Sequence, residues 1–462
     1  MAIDRTTHAA FLDDLVATMS DDGFQAIDDH VTARPRSTAE VAAFVSCCAR
    51  HDIAVVPVGG DTGLSGGTDL PSSRPAAKLS LDRMSAIRSS DPDRWTLTVE
   101  AGVTIEAIQL AATEAGRAFA PDWGARGTAT IGGAISTDAG GTNVVRYGNM
   151  RENILGIEVV LADGTIWDGL RALRKDSSGY DLKQLFIGGE GTLGVVTAAV
   201  VRLVPATPHC ATALVALATL DQLAAFVEHV RTAASDTVTA LELMSDEGIC
   251  TAADRFDLSH PLPDQTSHHV LVSLSAGTPV TDALSELLNT AAERGLISAA
   301  AVAVSADQES ALWRFRELQS PTESRPEVVA DSLKYDIAVP LDHVGALLRR
   351  SQAVVDKSGT DARVHAFGHV GDGNIHLYVL PGSDIESFRS VREAMRTNID
   401  DLVFELSGTL SAEHGVGTLL RDRVGPQKSA IEWELMRRVK DVFDPAHLFN
   451  PEKMLPEVQS PT

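Results

Sequence analysis

The stretch that decides the fold is residues 53–67, which read I-A-V-V-P-V-G-G-D-T-G-L-S-G-G. Residues 53–58 are typical of a short buried strand, and the nine residues that follow contain five glycines. Glycines allow successive backbone N–H groups to point at one anion, typically a phosphate. The loop contains no lysine or arginine, and it matches neither the P-loop nor the G-x-G-x-x-G pattern. Taken alone, it fits either a phosphate site or a structural glycine turn.

Two further glycine-rich regions follow in the first half of the chain. Residues 124–148 read G-A-R-G-T-A-T-I-G-G-A-I-S-T-D-A-G-G-T-N-V-V-R-Y-G, and residues 188–194 read G-G-E-G-T-L-G. The clusters are placed at predicted strand ends. One extended ligand lying along the domain, such as a large dinucleotide, explains three such clusters better than a single phosphate does.

Residues 364–379, V-H-A-F-G-H-V-G-D-G-N-I-H-L-Y-V, predict two strands joined by a tight turn. The turn can bring His369 and His376 together, and Glu413 and His414 stand beside a glycine turn further along the chain. Two imidazoles and a carboxylate form a common ligand set for a catalytic divalent metal, with His414 left over as a base. These residues alone also fit histidines that merely cover a sheet surface.

Bulk properties limit the possible functions. A chain of 462 residues predicts two or three domains, and its net charge of −24 argues against nucleic acid and anionic membranes as partners. Four cysteines do not form a disulfide framework, and no apolar run approaches the length of a membrane span. With no signal peptide apparent, we expect a cytoplasmic protein.

The order of predicted elements indicates an α+β protein. Residues 8–30 are typical of amphipathic helices, and residues 205–208 indicate a domain boundary. Beyond it, strands alternate with helices in a way that predicts a mostly antiparallel sheet. The expected strands are 213–217, 270–274, 334–339, 364–367 and 375–380, and the expected helices are 221–235, 281–295, 341–357 and 384–406.

These motifs together resemble those of FAD-binding proteins of the vanillyl-alcohol oxidase type with an FAD-linked oxidase C-terminal domain. The resemblance is greatest to the D-2-hydroxyglutarate dehydrogenases and their D-lactate and glycolate relatives, and it covers almost the whole chain. It rests on the glycine clusters and on H-V-G-D-G-N-I-H, S-A-E-H-G-V-G and L-F-N-P. It implies a two-part FAD-binding domain at 1–208, a substrate and metal domain at 209–440, and a segment at 441–462 that returns to the flavin.

The resemblance also implies the residues that hold FAD. Similar proteins with covalent flavin have a histidine in the first glycine loop, and this chain has none there, so we expect non-covalent FAD. The implied cofactor residues are Pro57, Gly59, Gly60, Asp61, Thr62, Gly63, Leu64, Pro121, Gly127, Thr128, Gly132, Gly133, Thr137, Asp138, Gly141, Glu190, Gly191, Gly194, Val195 and Asn450.

In the second half, the resemblance assigns His369, His376 and Glu413 to a divalent metal, with zinc expected, and His414 to the role of general base. The metal would lower the pKa of the substrate hydroxyl while C2 gives a hydride to the flavin. The implied substrate residues are Arg316, Ser320, Lys334, Asn374 and Tyr378.

A guanidinium, a hydroxyl and an ammonium suit a second carboxylate, which favours D-2-hydroxyglutarate. Without the resemblance, a solvated strand end is the favoured interpretation of Lys334. Tyr378 stands where such enzymes usually carry asparagine, and a larger side chain there favours D-malate or D-lactate. Asp138 replaces a common asparagine, and its charge would disfavour an anionic reduced flavin.

The resulting expectation is an FAD- and metal-dependent D-2-hydroxyacid dehydrogenase. D-lactate, D-malate or glycolate dehydrogenase is the alternative within this class, and a non-catalytic flavin-binding electron-transfer subunit is the alternative outside it. The expected electron acceptor is an electron-transferring flavoprotein or a quinone, and a homodimer is the expected assembly.

Overall fold

The computed structural model describes residues 5–19, 22–27, 30–262 and 267–456. They form two compact units. The first takes its residues from Met1–Gly141, Tyr147–Ala206 and Glu413–Thr462, and the second from Thr142–Arg146 and Thr207–Ala412. The boundary between Ala206 and Thr207 lies within the expected segment 205–208. Residues 413–440, which we expected in the second domain, lie in the first unit.

Up to Ala206 the chain forms short helices and strands that alternate. The helices are α1 (Arg5–Thr18), α2 (Thr38–Arg50), α3 (Ile105–Glu114), α4 (Ile131–Thr137), α5 (Val144–Tyr147), α6 (Met150–Asn153) and α7 (Lys183–Phe186). The strands are β1 (Phe24–Ile27), β2 (His30–Ala33), β3 (Ala54–Val58), β4 (Ala76–Ser80), β5 (Ile87–Asp91), β6 (Thr96–Glu100), β7 (Arg117–Ala118), β8 (Ile154–Val160), β9 (Ile166–Gly169), β10 (Val195–Arg202) and β11 (Val204–Pro205).

The first unit contains two main sheets, each with its own hydrophobic core. One has the order β1-β2-β4-β3, with β4 parallel to both neighbours, and the other has the antiparallel order β5-β6-β10-β8-β9. Phe44 and Val55 lie in the first core, and Leu97 and Ile157 lie in the second. This arrangement agrees with the expected two-part domain.

The helical prediction for residues 8–30 holds only for its first part. Helix α1 ends at Thr18, and the chain then forms β1 and β2. Strand β2 pairs with β4, which is distant in the chain. This pairing favours a strand over a helix, and the local sequence pattern of residues 22–33 does not reveal it.

The second unit is built around one seven-stranded sheet. Its strands are β12 (His209–Leu217), β13 (Val238–Ser245), β14 (His268–Ala276), β15 (Ile297–Val302), β16 (Leu333–Ala338), β17 (Arg363–His369) and β18 (Asn374–Leu380). Its helices are α8 (Leu223–Ala234), α9 (Asp246–Phe256), α10 (Thr281–Glu293), α11 (Ala306–Glu317), α12 (Pro321–Ser324), α13 (Pro326–Val329), α14 (Val344–Asp356) and α15 (Ile385–Glu405).

The sheet order is β15-β12-β14-β13-β17-β18-β16, and its neighbours are antiparallel, which confirms the expected α+β class. The five expected strands are present. Strands β13 and β15 were not predicted. Helices α9 and α11 were not predicted either.

The register of the sheet decides which side chains share a face. Phe367 pairs with His376 and His365 with Tyr378, while Lys334 and Asp336 on β16 lie opposite Tyr378 and His376. The short pairing of β13 with β17 sets Glu242 opposite His369. Residues directly opposite in an antiparallel pair point to the same side, so one face of this sheet carries all of these side chains.

The chain leaves the second unit at Ala412, whose amide donates to the carbonyl of Asp336 at 3.1 Å. In the first unit it forms α16 (Ala430–Phe443), which begins with a capping box between Ser429 and Glu432. Phe449 then bridges to Val55 on β3, so the C-terminal segment returns to the FAD-binding part as expected. None of the helices in the described ranges combines the length and the apolar character that a membrane span requires.

Candidate active site

The first two glycines of the 59–63 loop are required by close packing within the first unit. A Cβ atom at Gly60 would lie 2.0 Å from the carbonyl oxygen of Thr128, and one at Gly59 would lie 2.4 Å from Thr130 Oγ1. Both distances are far below van der Waals contact, so any larger residue would push the two glycine-rich loops apart. The loops that we expected to share one ligand are therefore in direct contact.

Gly63 and Gly133 differ from Gly59 and Gly60, because the positions that their side chains would occupy are open. A Cβ at Gly63 would meet no heavy atom within 4 Å, and one at Gly133 would come no closer than 3.6 Å to Thr130. Thr130 Oγ1 and Asn450 Oδ1 are buried in this unit and have no hydrogen-bond partner among the described residues. Open space beside glycines and unsatisfied buried polar atoms are features that a bound dinucleotide would account for.

Asn450 ties the C-terminal segment to this part of the unit. Its side-chain nitrogen donates to the carbonyls of Gly67 at 3.0 Å and Glu190 at 2.7 Å, and its backbone nitrogen donates to Val55 at 2.9 Å. Asn450 therefore connects the first and third glycine clusters.

The other expected cofactor residues divide by their surroundings. Gly132, Gly141 and Gly194 pack against protein, with hypothetical Cβ atoms 2.8 Å from Ala101, 2.1 Å from Asp122 and 2.7 Å from Val159. Buried or half-buried positions are Pro57, Pro121, Thr137, Gly191 and Val195, whereas Asp61, Thr62, Leu64, Gly127 and Thr128 are exposed.

Asp138 has a charged partner that the sequence did not reveal. One oxygen accepts from the backbone nitrogen of Arg151 at 2.9 Å, and the other accepts from its guanidinium at 3.1 Å. The ion pair offsets the negative charge that we expected to disfavour a reduced flavin.

Residues 413–417 of the S-A-E-H-G-V-G segment are held in the first unit by hydrogen bonds. Glu190 accepts from the amides of Val416 and Gly417, both at 2.7 Å. Glu413 accepts from the amide of Gly141 at 3.0 Å, and Ser65 donates to the carbonyl of His414 at 2.9 Å.

Burial raises the pKa of Glu190 above its usual value, although these two amides lower it in part. We expected Glu190 to touch the adenine half of FAD. In the structure its carboxylate is taken up by the segment that carries His414.

In the second unit, the two expected metal-binding histidines lie side by side. The ring centroids of His369 and His376 are 5.4 Å apart. Nδ1 of His369 lies 2.7 Å from a carboxylate oxygen of Glu242, and Nδ1 of His376 lies 3.6 Å from one of Asp336. A carboxylate on Nδ1 leaves Nε2 as the nitrogen that can bind a metal.

Glu242 is the main residue that sequence analysis missed. It is fully buried, and its second oxygen accepts from Arg316 Nε at 2.6 Å. Burial alone would raise the pKa of Glu242, but His369 and Arg316 together lower it to about 2. The available signal was a single carboxylate inside the apolar run V-T-A-L-E-L-M at 238–244.

The expected substrate residues Arg316, Ser320, Lys334 and Tyr378 are grouped around the same sheet face. The guanidinium of Arg316 lies 5.0 Å from the ring centroid of Phe367, and Phe367 stacks on Tyr378 at 6.0 Å. Burial raises the pKa of the Tyr378 phenol, although its hydrogen bond to Ser320 lowers it in part. Lys334 lies opposite Tyr378 and is exposed.

The side-chain oxygen of Asn374 is buried and has no hydrogen-bond partner among the described residues, so its expected contact with the substrate stays a prediction. The side-chain nitrogen of Asn374 donates to Asp336 at 2.8 Å and to the carbonyl of Ile337 at 3.0 Å. Asn374 therefore supports the carboxylate beside His376, and its amide nitrogen is not available to a substrate.

Two family models match the chain. Residues 30–169 match the FAD binding domain, and residues 207–454 match the C-terminal domain of the FAD linked oxidases. The second match alone covers more than half of the chain, which shows the family.

Curated relatives extend over nearly the same length. D-2-hydroxyglutarate dehydrogenase of Xanthomonas citri is 36% identical over 93% of this chain and 90% of its own length. The mitochondrial enzyme of that name from Bos taurus is 37% identical over 92% of this chain and 77% of its own. A putative mitochondrial D-lactate dehydrogenase of Schizosaccharomyces pombe is 33% identical, with 91% and 80% coverage.

Solved structures share the fold at low identity. p-Cresol methylhydroxylase superposes with a TM-score of 0.77 at 16% identity, covering 100% of this chain and 99% of its own. 4-Ethylphenol oxidase from Gulosibacter chungangensis superposes with a TM-score of 0.73 at 17% identity, covering 98% of each chain. The matched domains and the curated relatives show that the chain belongs to the FAD-linked oxidases, as an FAD-dependent dehydrogenase of the group that includes the D-2-hydroxyglutarate dehydrogenases.

Proposed function

We propose that the protein oxidises D-2-hydroxyglutarate to 2-oxoglutarate with non-covalent FAD and a divalent metal. The observation that carries the proposal is that two cationic side chains, Arg316 and Lys334, lie at the histidine-bearing face of the second unit's sheet. A dicarboxylic hydroxy acid needs a cation for the carboxylate farther from the reacting carbon. A monocarboxylic acid such as lactate has no group for such a cation to bind.

Arg316 is suited to carboxylate binding by the way it is held. Its Nε donates to Glu242, and its plane lies against Phe367, so the direction of the guanidinium is fixed. Its terminal nitrogens make no hydrogen bond to any described residue, which leaves them available to a carboxylate. An arginine whose orientation is fixed in advance loses less entropy when it binds a carboxylate in a two-pronged manner.

Lys334 supplies the second positive charge. It lies opposite Tyr378 on the edge strand β16, is exposed, and forms no ion pair within the part of the chain that the structure describes. An ammonium without a protein partner is consistent with binding the second carboxylate.

The metal would be held by His369, His376 and Glu413, with zinc as the expected ion. The fit is supported by the 2.7 Å distance between Nδ1 of His369 and Glu242, since ligating histidines commonly donate their other nitrogen to a carboxylate. Asp336 lies 3.6 Å from Nδ1 of His376, on the corresponding side of that ring. Glu413 directly follows Ala412, whose amide is bound to Asp336, the residue paired with His376. When bound, a divalent ion at such a site would acidify the hydroxyl of the substrate.

His414 is the proposed general base. It would accept the hydroxyl proton as C2 loses a hydride, and FAD supplies the acceptor for that hydride. The backbone carbonyl of His414 is held by Ser65, and the next residues are held by Glu190, so the position of the imidazole is fixed from its main chain. Arg316 and Lys334 would orient the substrate so that one face of C2 is presented.

D-lactate is the second candidate substrate. Tyr378 supports it, because the bulky phenol, bound to Ser320 and stacked on Phe367, would leave less room for the longer acid than the usual asparagine. The relative from Schizosaccharomyces pombe that is named a putative D-lactate dehydrogenase is consistent with this alternative. D-malate, a shorter dicarboxylate, and glycolate are further candidates, because they are also shorter than 2-hydroxyglutarate.

A variant of Lys334 separates these substrates. For Lys334→Ala we expect KM for D-2-hydroxyglutarate to rise about tenfold, because about 1.4 kcal/mol of charge pairing is lost, while KM for D-lactate stays within about twofold. The matched control is Lys357→Ala, which removes another exposed lysine of this unit. Equal losses for both substrates would remove Lys334 from the carboxylate site.

Three further expectations stay predictions. An electron-transferring flavoprotein or a quinone is the proposed electron acceptor, and a homodimer is the proposed assembly. The cytoplasmic location also stays a prediction, since the relatives from Bos taurus and Arabidopsis thaliana are named as mitochondrial.

A further inference from the structure

The two carboxylate oxygens of Glu242 contact two different residues, the proposed metal ligand His369 and the proposed substrate-binding residue Arg316. Oε1 lies 2.7 Å from Nδ1 of His369, and Oε2 accepts from Arg316 Nε at 2.6 Å. The carboxylate has no exposed surface. It therefore cannot exchange either partner for water without a large cost, and its charge depends on both.

We propose that Glu242 is a positioning residue that couples the metal ligand His369 to the substrate-binding Arg316. The proposal rests on the function proposed above for these two residues. It assigns to one buried carboxylate the task of orienting the metal ligand and the substrate clamp together.

The chemistry of the carboxylate fixes the state of His369. An ionised carboxylate accepts hydrogen bonds and donates none, so Nδ1 must carry the proton. The lone pair of the neutral ring then lies on Nε2, on the side of the ring away from Glu242, which is the form of histidine that binds a metal. A hydrogen on Nε2 instead would block metal binding.

The same carboxylate fixes Arg316. With Nε bound to Glu242 and the plane packed on Phe367, the guanidinium can present its terminal nitrogens in one direction. The register of β13 with β17, which sets Glu242 opposite His369, therefore also determines where the substrate carboxylate is bound.

Asp336 provides a matched comparison on the same sheet face. It lies 3.6 Å from Nδ1 of His376, and it accepts from the amide of Asn374. Both carboxylates stand beside a proposed metal ligand, but Asp336 accepts from a neutral amide where Glu242 accepts from the proposed substrate-binding arginine. The proposal therefore predicts two defects when Glu242 is changed and one when Asp336 is changed.

The decisive variant is Glu242→Gln, which keeps the shape of the side chain. One end of an amide accepts and the other donates, so glutamine cannot accept from both His369 and Arg316. In the FAD-loaded protein we expect zinc affinity, measured by chelator competition, to fall about 10–100-fold. With zinc saturating, KM for the best substrate should rise at least about tenfold, with a smaller change in kcat.

Asp336→Asn is the control. We expect it to weaken zinc binding but to leave KM within about twofold once zinc is saturating. Bound FAD should equal that of the unsubstituted protein in both variants. A Glu242→Gln protein whose zinc affinity or whose KM at saturating zinc stays within twofold of the unsubstituted value would overturn the coupling.

A second measurement avoids any substitution of Glu242. Histidine-selective ¹⁵N NMR of the zinc-free protein, assigned with His369→Gln, should show His369 protonated at Nδ1. A ring protonated at Nε2 alone would overturn the proposal. The zinc and NMR readouts need no substrate, so a wrong substrate assignment leaves them unchanged. An unsubstituted protein that binds no zinc would overturn the metal assignment and the coupling together.

Discussion

The glycine-rich part of the first unit and the histidine-bearing sheet face of the second unit are built by opposite means. The first relies on backbone: glycines such as Gly60, where a side chain would overlap the main chain of a neighbouring loop, and carboxylates such as Glu190 that bind main-chain amides. The second relies on side chains at fixed positions in an antiparallel register, each supported by another side chain such as Glu242.

This difference explains what each region can bind. Backbone N–H groups and open space suit a long cofactor that is held at many points without a charged side chain. A rigid sheet face with paired charges suits a small anion and a metal, which must be placed to within a fraction of an ångström. The following variants test the comparison, from the largest expected effect to the smallest.

Replacing His414 should cause the largest loss. For His414→Ala we expect flavin reduction by substrate to slow by about 10²–10⁴-fold, because a general base contributes on that order. FAD content should not change. Anaerobic stopped-flow absorbance measures the rate, and His447→Asn, at an exposed histidine of the same unit, is the control. Reduction within tenfold of the unsubstituted rate would remove His414 from the role of base.

The glycines of the first loop can be separated by what they face. Gly60→Ala should lower the free energy of unfolding of the FAD-free protein by about 1–3 kcal/mol, because its Cβ would overlap the Thr128 carbonyl. Gly63→Ala should leave that stability unchanged and weaken FAD binding.

Gly425→Ala, outside the glycine-rich loops of the same unit, is the control for both glycine variants, since its Cβ also meets no atom within 4 Å. Thermal unfolding without FAD and flavin titration provide the two measurements. The assignment of the open space to FAD would be contradicted by a Gly63→Ala protein that binds FAD normally.

We expect acid to destabilise the second unit near His365 more than it destabilises the first unit. Burial lowers the pKa of His365 to about 4, and its Nε2 lies 2.7 Å from the carbonyl of Gln319. Protonation of His365 is therefore less favourable in the folded state than in the unfolded state. The free energy of unfolding is greatest above pH 6.5 and falls by at most about 3 kcal/mol as the pH falls from 6.5 toward 4.

Amide hydrogen exchange at pH 7 and pH 5 measures this loss in each unit. Protection in the strands around His365 should fall at pH 5, and His365→Gln should abolish that dependence on pH. If the variant keeps the full dependence on pH, another group is responsible.

Asp138 should give the smallest effect. Because Arg151 already offsets its charge, we expect Asp138→Asn to change the rate of flavin reduction by less than about twofold, in keeping with the small worth of part-exposed ion pairs. Arg151→Gln, which removes the compensating charge, should slow reduction more. A large acceleration in Asp138→Asn would show that the carboxylate acts on the flavin despite Arg151.

Sequence alone predicted the backbone-built region well, because glycine clusters are local. The 59–63 loop and the C-terminal Asn450 lie in one unit, and the α+β class is confirmed. The partners of the charged residues were not predictable. Arg151 for Asp138, and the amides of Val416 and Gly417 for Glu190, are brought close only by tertiary folding.

In the second unit, the hairpin pattern predicted that His369 and His376 would be neighbours, which the structure shows. Glu242 was missed for a physical reason. It meets His369 through a two-residue pairing between strands that are distant in the chain, and a one-residue shift of that register would turn it to the other face. The hydrogen bond from Asn374 to Asp336 was not predicted either, because it depends on another such pairing.

The most direct test of the proposed activity is anaerobic bleaching of the flavin in the purified, zinc-loaded protein. The panel contains the D- and L-forms of 2-hydroxyglutarate, malate and lactate, together with glycolate. We expect D-2-hydroxyglutarate to bleach the flavin fastest, because its second carboxylate is the group that Arg316 and Lys334 are proposed to bind. Fastest bleaching by D-lactate or glycolate, or no bleaching by any of these acids, would contradict the dicarboxylate site.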